Sequence, residues 1–388
     1  MLIRKAYKFR LDPDSDQCEQ LSRNAGCCRF VWNKALALQK EVLEREHKRY
    51  SYTELCAFLK SWKSEESLAW LKEADSQALQ QSLKNLDRAF KNAFNPKLAA
   101  QFPVFKKRGY RDSFCYPQRF QFRDSEVSLP KIGWVSFRQS RDIEGVPKNV
   151  TVSRKGRHWF FSVQVEVEVA DPQPVSTSHT GIDLGVARFA TLSSGQYFVG
   201  RHSFRKLEKK LAKEQRKLSR KVKFSSNWKK QQLKVQQVHI DIANARSDYL
   251  HKVSTTISKN HALVVMEDLQ VSSMSRSAKG SIEEPGRGVK AKSGLNKSIL
   301  DQGWFSFRQM LEYKLSWRGG ELRLVPPQYT SQRCFQCGHT AKENRKKQDT
   351  FLCVSCGYSA HADLVASKNI LAVGHAAAAC GEIKRLAA

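Results

Sequence analysis

The chain has 388 residues, 40% of them hydrophobic, so it is long enough for two or three domains with apolar cores. Its 67 Lys and Arg residues outnumber 37 Asp and Glu residues, and the resulting net charge of +30 favours a polyanionic partner, with nucleic acid first. No apolar window is long enough to span a bilayer, and the opening residues lack the apolar core of a secretory signal, so the sequence predicts a cytoplasmic protein without a membrane partner.

The first half of the chain predicts a strand, a helical region and then a sheet. Residues 2–11 alternate basic and apolar positions, which indicates a strand with one charged face. The basic residues expected on that face are Arg4, Lys5, Lys8 and Arg10. Between residues 16 and 101 the apolar residues recur at helical spacing, and the clearest helix spans 76–94. Short alternating runs between 111 and 170 indicate an antiparallel sheet or a small barrel.

The second half predicts an α/β domain. Residues 171–180 are rich in Pro, Ser and Thr and are expected to be a linker at the main domain boundary. Buried-type strands follow at 180–195 and 262–269, separated by a long basic helical stretch. The Ser-, Gly- and Lys-rich residues 271–297 are predicted to be mobile, and an amphipathic helix and a strand over 321–327 come after them.

Four of the ten cysteines form two Cys-x2-Cys pairs that are fifteen residues apart. These are Cys334, Cys337, Cys353 and Cys356. Four thiolates at this spacing predict a structural zinc site with a complete tetrahedral ligand set, so nearby His339 and His361 are not needed as ligands. The alternative, four cysteines buried in a core, is the weaker interpretation at this spacing. The remaining cysteines are interpreted as small buried apolar residues: Cys18, Cys27, Cys28, Cys56, Cys115 and Cys380.

Three carboxylates occupy positions that suit magnesium-dependent hydrolysis of a phosphodiester, which needs several acids around a pair of ions. Asp183 lies in a buried-type strand before Gly185, and Glu267 ends another apolar run. Strand alternation sends Asp268 to the opposite face, so Glu267 is the preferred acid. Asp363 is expected in the first turn of the last helix, where an ordinary helix-start acid is the simpler interpretation. Their separation is too long for a local motif, so the chemistry alone leaves this trio a hypothesis.

Two basic segments are candidates for nucleic-acid contacts. Residues 204–234 carry thirteen Lys and Arg against two Glu, which favours a helix lying along RNA or a heteroduplex over a merely solvated face. The candidates are Lys209, Lys210, Lys213, Arg216, Lys217 and Arg220 in that segment, and Lys106, Lys107 and Arg108 in a shorter one.

The GIDLG motif around Asp183 also resembles the phosphate-binding strand of actin-like ATPases. The second Gly-rich loop of those ATPases is missing, so an ATPase is disfavoured.

Taken together, these residues resemble the TnpB family, RNA-guided nucleases encoded by insertion sequences and related to type V CRISPR effectors. The resemblance covers essentially the whole chain and includes AYKFRLDP, GCCRFVWNKAL, GIDLGV, VVMEDLQV, TSQRCFQCGH and HADLVASKNIL. It implies an RNase H-like (RuvC) nuclease domain in which Asp183, Glu267 and Asp363 are the catalytic acids and bind two magnesium ions. Val365 and Ser367 depart from the family pattern, which has Asn and Ala there.

The resemblance implies a multidomain fold that combines α/β and all-β parts. These are a β-barrel wedge domain at 1–12 and 111–172, a helical recognition domain at 13–110, a RuvC-like nuclease domain at 176–326 and 359–388, and an inserted zinc ribbon at 327–358. The implied partners are a guide RNA from the transposon end and double-stranded target DNA, cut beside a short flanking motif. The implied setting is the bacterial or archaeal cytoplasm, with nucleoid association on DNA.

The flanking motif would be read by the helical region and the barrel, with Tyr50, Ser76, Gln80 and Lys84 as candidates, although a solvated helix face is simpler for each one. The mobile segment 271–297 is hypothesised to be a lid over the nuclease site. Two alternatives remain open: a nuclease-inactive RNA-guided DNA-binding protein, and an RNA-independent transposase or resolvase of RNase H-like fold. The sequence does not indicate an oligomeric state.

Overall fold

The structure is a computed structural model and describes residues 1–174 and 176–379. The chain divides into two compact units, Met1–Val169 and Ala170–Ala388, so the division falls at the start of the expected linker. Val175 of that linker, Cys380 and the end of the segment 359–388 lie outside the described residues.

The first unit contains a seven-stranded antiparallel sheet. Its strands are β1 Leu2–Leu11, β2 Ser113–Tyr116, β3 Gln121–Arg123, β4 Glu126–Leu129, β5 Gly133–Arg138, β6 Val146–Lys155 and β7 His158–Glu168. They follow the order β2, β6, β7, β1, β5, β4, β3, so the predicted antiparallel sheet is confirmed. The predicted strand 2–11 is also confirmed, but Lys5 shares the face of buried Ile3 and Phe9 because alternate residues point the same way. The prediction that Lys5 joins the charged face is therefore wrong.

Three α-helices and a 3-10 helix pack on this sheet in a common core. They are α1 Ser15–Glu46, α2 Tyr52–Ser64, the 3-10 helix Glu66–Glu73 and α3 Ser76–Phe94. The helix predicted over 76–94 is confirmed at both ends. Asp75 caps its first turn by accepting hydrogen bonds from the backbone N–H groups of Gln77 and Ala78. Leu79, Leu83 and Leu86 line its buried face.

The second unit is built on a five-stranded mixed sheet. Its strands are β8 His179–Asp183, β9 Arg188–Leu192, β10 Tyr197–Val199, β11 Leu263–Glu267 and β12 Glu321–Val325. They follow the order β10, β9, β8, β11, β12. Strands β8, β9 and β10 are antiparallel neighbours, whereas β8, β11 and β12 run parallel. The α/β class predicted for this half is therefore confirmed. Because β8 and β11 are parallel and adjacent, their carboxyl ends meet at one edge of the sheet.

The helices of this unit are α4 Ser203–Ser219, α5 Ser226–Asn260, α6 Val271–Met274, α7 Val289–Gln302, α8 Trp304–Ser316 and α9 Ala362–Ala379. The last of them, α9, crosses β8 and β11 at very close range. A Cβ on Gly181 would overlap the Ser367 carbonyl oxygen, and one on Gly374 would overlap the Val265 side chain. Glycine at these two positions therefore allows α9 to lie directly on the two strands that end in Asp183 and Glu267.

The predicted mobile segment 271–297 is only partly irregular. It contains α6 and the first nine of the fourteen residues of α7, and buried Ile299 near the end of α7 packs into the core of the second unit. Among the scattered cysteines, Cys27 and Cys28 are buried as predicted, while Cys18, Cys56 and Cys115 are only partly so. Within residues 1–174 and 176–379, no helix is both long and apolar enough to cross a membrane.

Candidate functional site

The three candidate acids come from three elements that meet in the second unit. Asp183 ends β8 and Glu267 ends β11, one residue beyond the paired Ile182 and Met266. Asp363 lies in the first turn of α9, as the sequence predicts. The negative charges of both Glu267 and Asp363 act on Asp183, so the fold brings together acids that are far apart in the sequence.

The local environment disfavours ionised carboxylates at this edge of the sheet. Burial, and after it the charges of Glu267 and Asp363, raise the pKa of Asp183 to about 7. Burial also raises the pKa of Glu267, although a hydrogen bond from Thr330 opposes the increase. Carboxylates that repel one another in a partly buried cluster fit a cation, because oxygen-rich sites of this kind are what Mg²⁺ and similar hard ions bind.

One cation of the chain already reaches this cluster. Arg345 lies at the end of a 3-10 helix, Lys342–Arg345, in the loop between the two cysteine pairs. Its Nη2 atom is 3.7 Å from Oδ1 of Asp363, and its charge partly opposes the increase in the pKa values of Asp183 and Glu267. The loop also contains Lys342, Lys346 and Lys347, but nothing in the sequence pattern indicates that Arg345 faces the carboxylates.

Two polar side chains tie the segment before the first cysteine pair to the acid site. The Thr330 hydroxyl donates to Oε1 of Glu267 at 2.5 Å. The buried Asn369 amide on α9 donates to the backbone carbonyls of Thr330 and Arg333 at 2.8 and 2.7 Å. Sequence reasoning assigned no function to Thr330 or Asn369, because each acts on a residue more than thirty positions away.

The four cysteines form a compact group beside α9. Their sulfur atoms all lie within 4.8 Å of one another, with 3.7 Å between Cys334 and Cys356 and 3.6 Å between Cys337 and Cys353. A tetrahedron of thiolates around zinc, with Zn–S bonds of 2.3 Å, has edges of about 3.8 Å. The group can therefore hold a metal such as zinc. Among the described residues, no other set of three or more Cys, His, Asp or Glu ligands is gathered as closely.

Both cysteine pairs have the same turn geometry. Gly338 and Gly357 have φ values of 75° and 74°, and each N–H donates back to the carbonyl of the first cysteine of its pair at 3.0 Å. Hydrogen bonds, first among them one from the backbone N–H of Cys356, lower the pKa of the Cys353 thiol to about 6, which favours the thiolate at this position. The paired strands β13 Thr350–Leu352 and β14 Ser359–His361 complete the group.

Neither of the two nearby histidines, His339 and His361, is positioned to replace a cysteine as a metal ligand. Nδ1 of His361 accepts the backbone N–H of Asp363 at 3.2 Å, so this ring is engaged at the start of α9. His339 is exposed, and its backbone carbonyl accepts the Cys334 N–H at 2.8 Å. The buried Asn344 also donates to the His339 carbonyl and accepts the Val354 N–H, so it links the two turns of the metal-binding group.

At the two positions that depart from the family pattern, Val365 makes apolar contacts and Ser367 makes a hydrogen bond within α9. Val365 is fully buried and packs with Cys334, Phe351 and Cys353, so it joins α9 to the four-cysteine group. Ser367 is also buried, and its hydroxyl donates to the Leu364 carbonyl at 2.9 Å. Val365 brings no hydrogen-bonding group to Asp363, and the cationic or ionisable nitrogens of Arg345 and His361 lie 3.7 and 3.8 Å from its carboxylate oxygens.

The nucleic-acid candidates of the first unit fall into two groups. Lys84 and Lys106 line a polar cleft of about 400 Å³ between α3 and the sheet, together with Gln81, Asn85 and Asn149, which the sequence did not single out. The Lys106 ammonium lies 4.0 Å from the centre of the Trp32 ring. The other candidates do not line this cleft: Gln80, Lys107 and Arg108 are exposed, Ser76 accepts a hydrogen bond from Lys63, and Tyr50 packs on Phe58.

The candidates of the second unit lie on α4 or, for Arg220, directly after its last residue. Lys209, Lys210, Lys213, Arg216, Lys217 and Arg220 are exposed, as expected for a basic surface. Lys217 forms an ion pair with Glu214 at 3.4 Å. The helix therefore offers several cationic side chains to a partner in solution.

The raised pKa of Asp183 predicts a pH-dependent gain in stability for Asp183→Asn. Protonation of Asp183 contributes to the stability of the folded state fully below the ordinary pKa of 3.8, and this contribution is lost as pH rises from there through about 7, the pKa of the folded state. In metal-free buffer we expect the variant to gain roughly 2–4 kcal/mol in free energy of unfolding at pH 8, and clearly less at pH 5. Urea denaturation with a chelator at both pH values measures this.

Asp268→Asn is the control, because Asp268 is paired with Arg308 at 2.7 Å. A gain that does not depend on pH would contradict the prediction.

Three family models match the chain. Residues 162–278 match OrfB_IS605, described as "Probable transposase", and residues 304–370 match the "Cas12f1-like, TNB domain". Residues 1–48 match the "Helix-turn-helix domain" of the same transposase group, although here they form strand β1 and the single helix α1. The first two matches contain all three acids and all four cysteines. Together with the fold, they define the class as a transposon-encoded protein of the OrfB_IS605 group with a Cas12f1-like domain.

Two relatives match over nearly the full length. A protein of Escherichia coli strain K12, named as the RNA-guided DNA endonuclease InsQ, is 54% identical over 98% of this chain and 94% of its own length. A Streptomyces pristinaespiralis protein named as an RNA-guided DNA endonuclease is 36% identical over 98% of this chain and 92% of its own. The solved Cas12f1–sgRNA–target DNA complex aligns with 19% identity and a TM-score of 0.36, over 95% of this chain and 99% of that one. The chain belongs to the TnpB family, the RNA-guided DNA endonucleases encoded by insertion sequences.

Proposed function

We propose that this TnpB protein cuts double-stranded DNA by magnesium-dependent hydrolysis of a phosphodiester, at a target selected by a bound guide RNA. The observation that carries the proposal is the convergence of Asp183, Glu267 and Asp363 at one edge of a mixed sheet, where burial and mutual repulsion raise the pKa of Asp183 to about 7. A cluster in which ionised carboxylates are disfavoured is suited to binding cations, which neutralise the negative charge.

We further propose that Asp183, Glu267 and Asp363 would hold two magnesium ions, which when bound would activate water and stabilise the departing oxygen. Thr330 fixes the Glu267 carboxylate through its hydrogen bond. Arg345 presents a guanidinium at the same cluster, and a planar guanidinium can bind two oxygens of one phosphate. This arrangement supports a role for Arg345 in orienting the DNA backbone at the acids.

The proposed organisation keeps the four parts that the family resemblance implies. Residues 176–326 and 359–388 form the RuvC-like nuclease domain, which the mixed sheet and its carboxylate edge support. Residues 327–358 form the zinc ribbon, which the sulfur spacing supports. Residues 1–12 and 111–172 form the wedge barrel, and residues 13–110 the recognition domain. The antiparallel sheet and the helices that pack on it support these last two.

The basic surfaces supply the proposed contacts to nucleic acid. The exposed cations of α4 suit an RNA backbone, whose binding releases counterions and therefore weakens with salt. The cleft that contains Lys84, Lys106 and Gln81 is the better candidate for reading the flanking motif, because it combines cations with amides that can address base edges. The names of both full-length relatives support RNA and DNA as partners. We also propose that this RNA derives from the transposon end.

The test is purification followed by cleavage. We expect RNA of discrete length to co-purify, and DNA that matches one end of that RNA to be cut in magnesium buffer when the correct flanking motif is present. Cutting of DNA without any RNA would instead favour an RNA-independent transposase. RNA-directed binding without cutting would favour a nuclease-inactive binding protein.

A further inference from the structure

Helices α4 and α5 form a hairpin with a small core of its own. Leu211 of α4 packs with Val235, Val238 and Ile242 of α5, in a cluster distinct from the main core of the second unit. Helix α4 has 17 residues and is therefore about 25 Å long. Residues 220–225 form the turn at the tip, and their basic residues are Arg220, Lys221 and Lys223.

The tip carries an aromatic residue in an unfavourable backbone conformation. Phe224 has φ of +70°, a value that bulky side chains rarely adopt, and its side chain is 67% exposed. The neighbouring Val222 is 78% exposed. Burial in the protein therefore does not offset the strain at Phe224. Strain of this kind is typical of functional positions, where the surroundings hold a residue for a partner.

The surroundings of the Phe224 ring suit a nucleobase. The Trp228 ring centre lies 5.6 Å away, tilted by 58°, and the Lys223 ammonium lies 5.3 Å from the centre of the Phe224 ring. Among the residues that the structure describes, no carboxylate forms an ion pair with Arg220, Lys221 or Lys223. Exposed aromatic rings flanked by unpaired cations are the elements that bind bases by stacking and phosphates by charge.

We propose that Phe224 is a base-stacking residue, whose ring stacks on an unpaired or terminal base of the RNA that lies along the α4–α5 hairpin. The inference rests on the proposed function for the presence of RNA. The positive charge of the hairpin selects a polyanion, and RNA offers the unstacked bases that aromatic side chains bind. The hairpin helices contact the backbone, and Phe224 fixes the position of the RNA at the tip.

The experiment measures RNA affinity in the full-length protein. RNA released from the purified complex is labelled and rebound to RNA-free protein at several salt concentrations. Phe224→Ala should weaken binding by about 5- to 150-fold, as expected for loss of one stacked base, with no change in the slope of log affinity against log salt. Phe224→Tyr should retain binding. A Lys221→Ala/Lys223→Ala double variant should instead reduce the salt slope.

Two controls separate stacking from general surface or folding effects. Val222→Ala removes an apolar side chain from the same turn, and Phe305→Ala removes an aromatic one that is 60% exposed on α8. Neither should change RNA affinity. Phe224→Gly relieves the backbone strain, so it should lose affinity without lowering Tm. A fall in Tm with unchanged affinity would assign Phe224 a purely structural role and overturn the proposal.

The outcomes also distinguish this inference from the proposed function. Unchanged RNA affinity of Phe224→Ala, in a protein that performs guided cleavage, overturns the stacking role alone. Weakened RNA binding in a protein that never cuts DNA supports stacking and contradicts the nuclease. If Phe224→Ala weakens only the binding of a matched DNA oligonucleotide, the partner is DNA and the RNA assignment fails. If the unaltered protein binds no RNA, both proposals fail.

Discussion

Asp183→Asn is expected to lower guided DNA cleavage by roughly three orders of magnitude or more, while RNA binding and RNA-directed DNA binding are retained. A metal ligand in such a site contributes several kcal/mol to stabilising the transition state, and each 1.4 kcal/mol corresponds to a factor of ten in rate. The same substitution removes a charge that burial disfavours, so in metal-free buffer the inactive variant should be the more stable protein at pH 8. Loss of activity together with gain of stability is what distinguishes a functional carboxylate from a structural one.

Plasmid cleavage by the purified RNA complex measures this effect, and a gel-shift assay on the matching DNA measures binding. Glu267→Gln should behave like Asp183→Asn. The matched control is Asp268→Asn, which removes the adjacent carboxylate of the same strand end, paired with Arg308 rather than bonded to Thr330. It should retain cleavage. Full-rate cutting by Asp183→Asn, or equal loss in Asp268→Asn, would refute the assignment of the acids.

Cys353→Ser should remove the metal from the four-cysteine group. Cleavage should then be abolished indirectly, because the segment that contacts the acids loses its structure. The group positions the loop that carries Arg345, and it packs on α9 through Val365. Since metal binding by four thiolates supplies much of the folding energy of such small modules, the segment should lose order without it. Asp363 and Glu267 would then lose the contacts of Arg345 and Thr330. The first unit should remain folded.

Elemental analysis should find about one zinc per chain in the unaltered protein and almost none in Cys353→Ser. Proteolysis should cut the variant between residues 327 and 358 and spare the first unit. Cys18→Ser is the control, because Cys18 lies in α1, and it should keep both zinc and activity. A variant that loses zinc but still cuts at the full rate would show that the metal does not support the acid site.

The sequence predicted those features of the site that have local patterns. Asp183 and Glu267 are acids that end apolar strands, and the cysteine pairs have a spacing that few other structures require. The helix over 76–94 was predictable at both ends because a capping residue precedes it and a proline follows. These features depend only on residues close in the chain.

The remaining features depend on contacts between distant segments. Thr330 reaches Glu267 across 63 positions, and Asn369 reaches Arg333 across 36, so the local sequence does not reveal either contact. Residues 271–297 have the composition of a mobile loop, yet α7 forms there because buried Ile299 anchors the helix to the core. Tertiary packing overrides local propensity at such positions.

The position of Asp363 in α9 has a consequence for the order of synthesis. The α4–α5 hairpin is complete at Asn260, but Asp363 follows by 103 residues, and α9 must then fold onto Gly181 of β8. At ribosomal rates of 5–20 residues per second, this interval lasts about 5–20 s. A nascent or truncated chain can therefore present the α4–α5 hairpin to nucleic acid long before it has three carboxylates with which to cut.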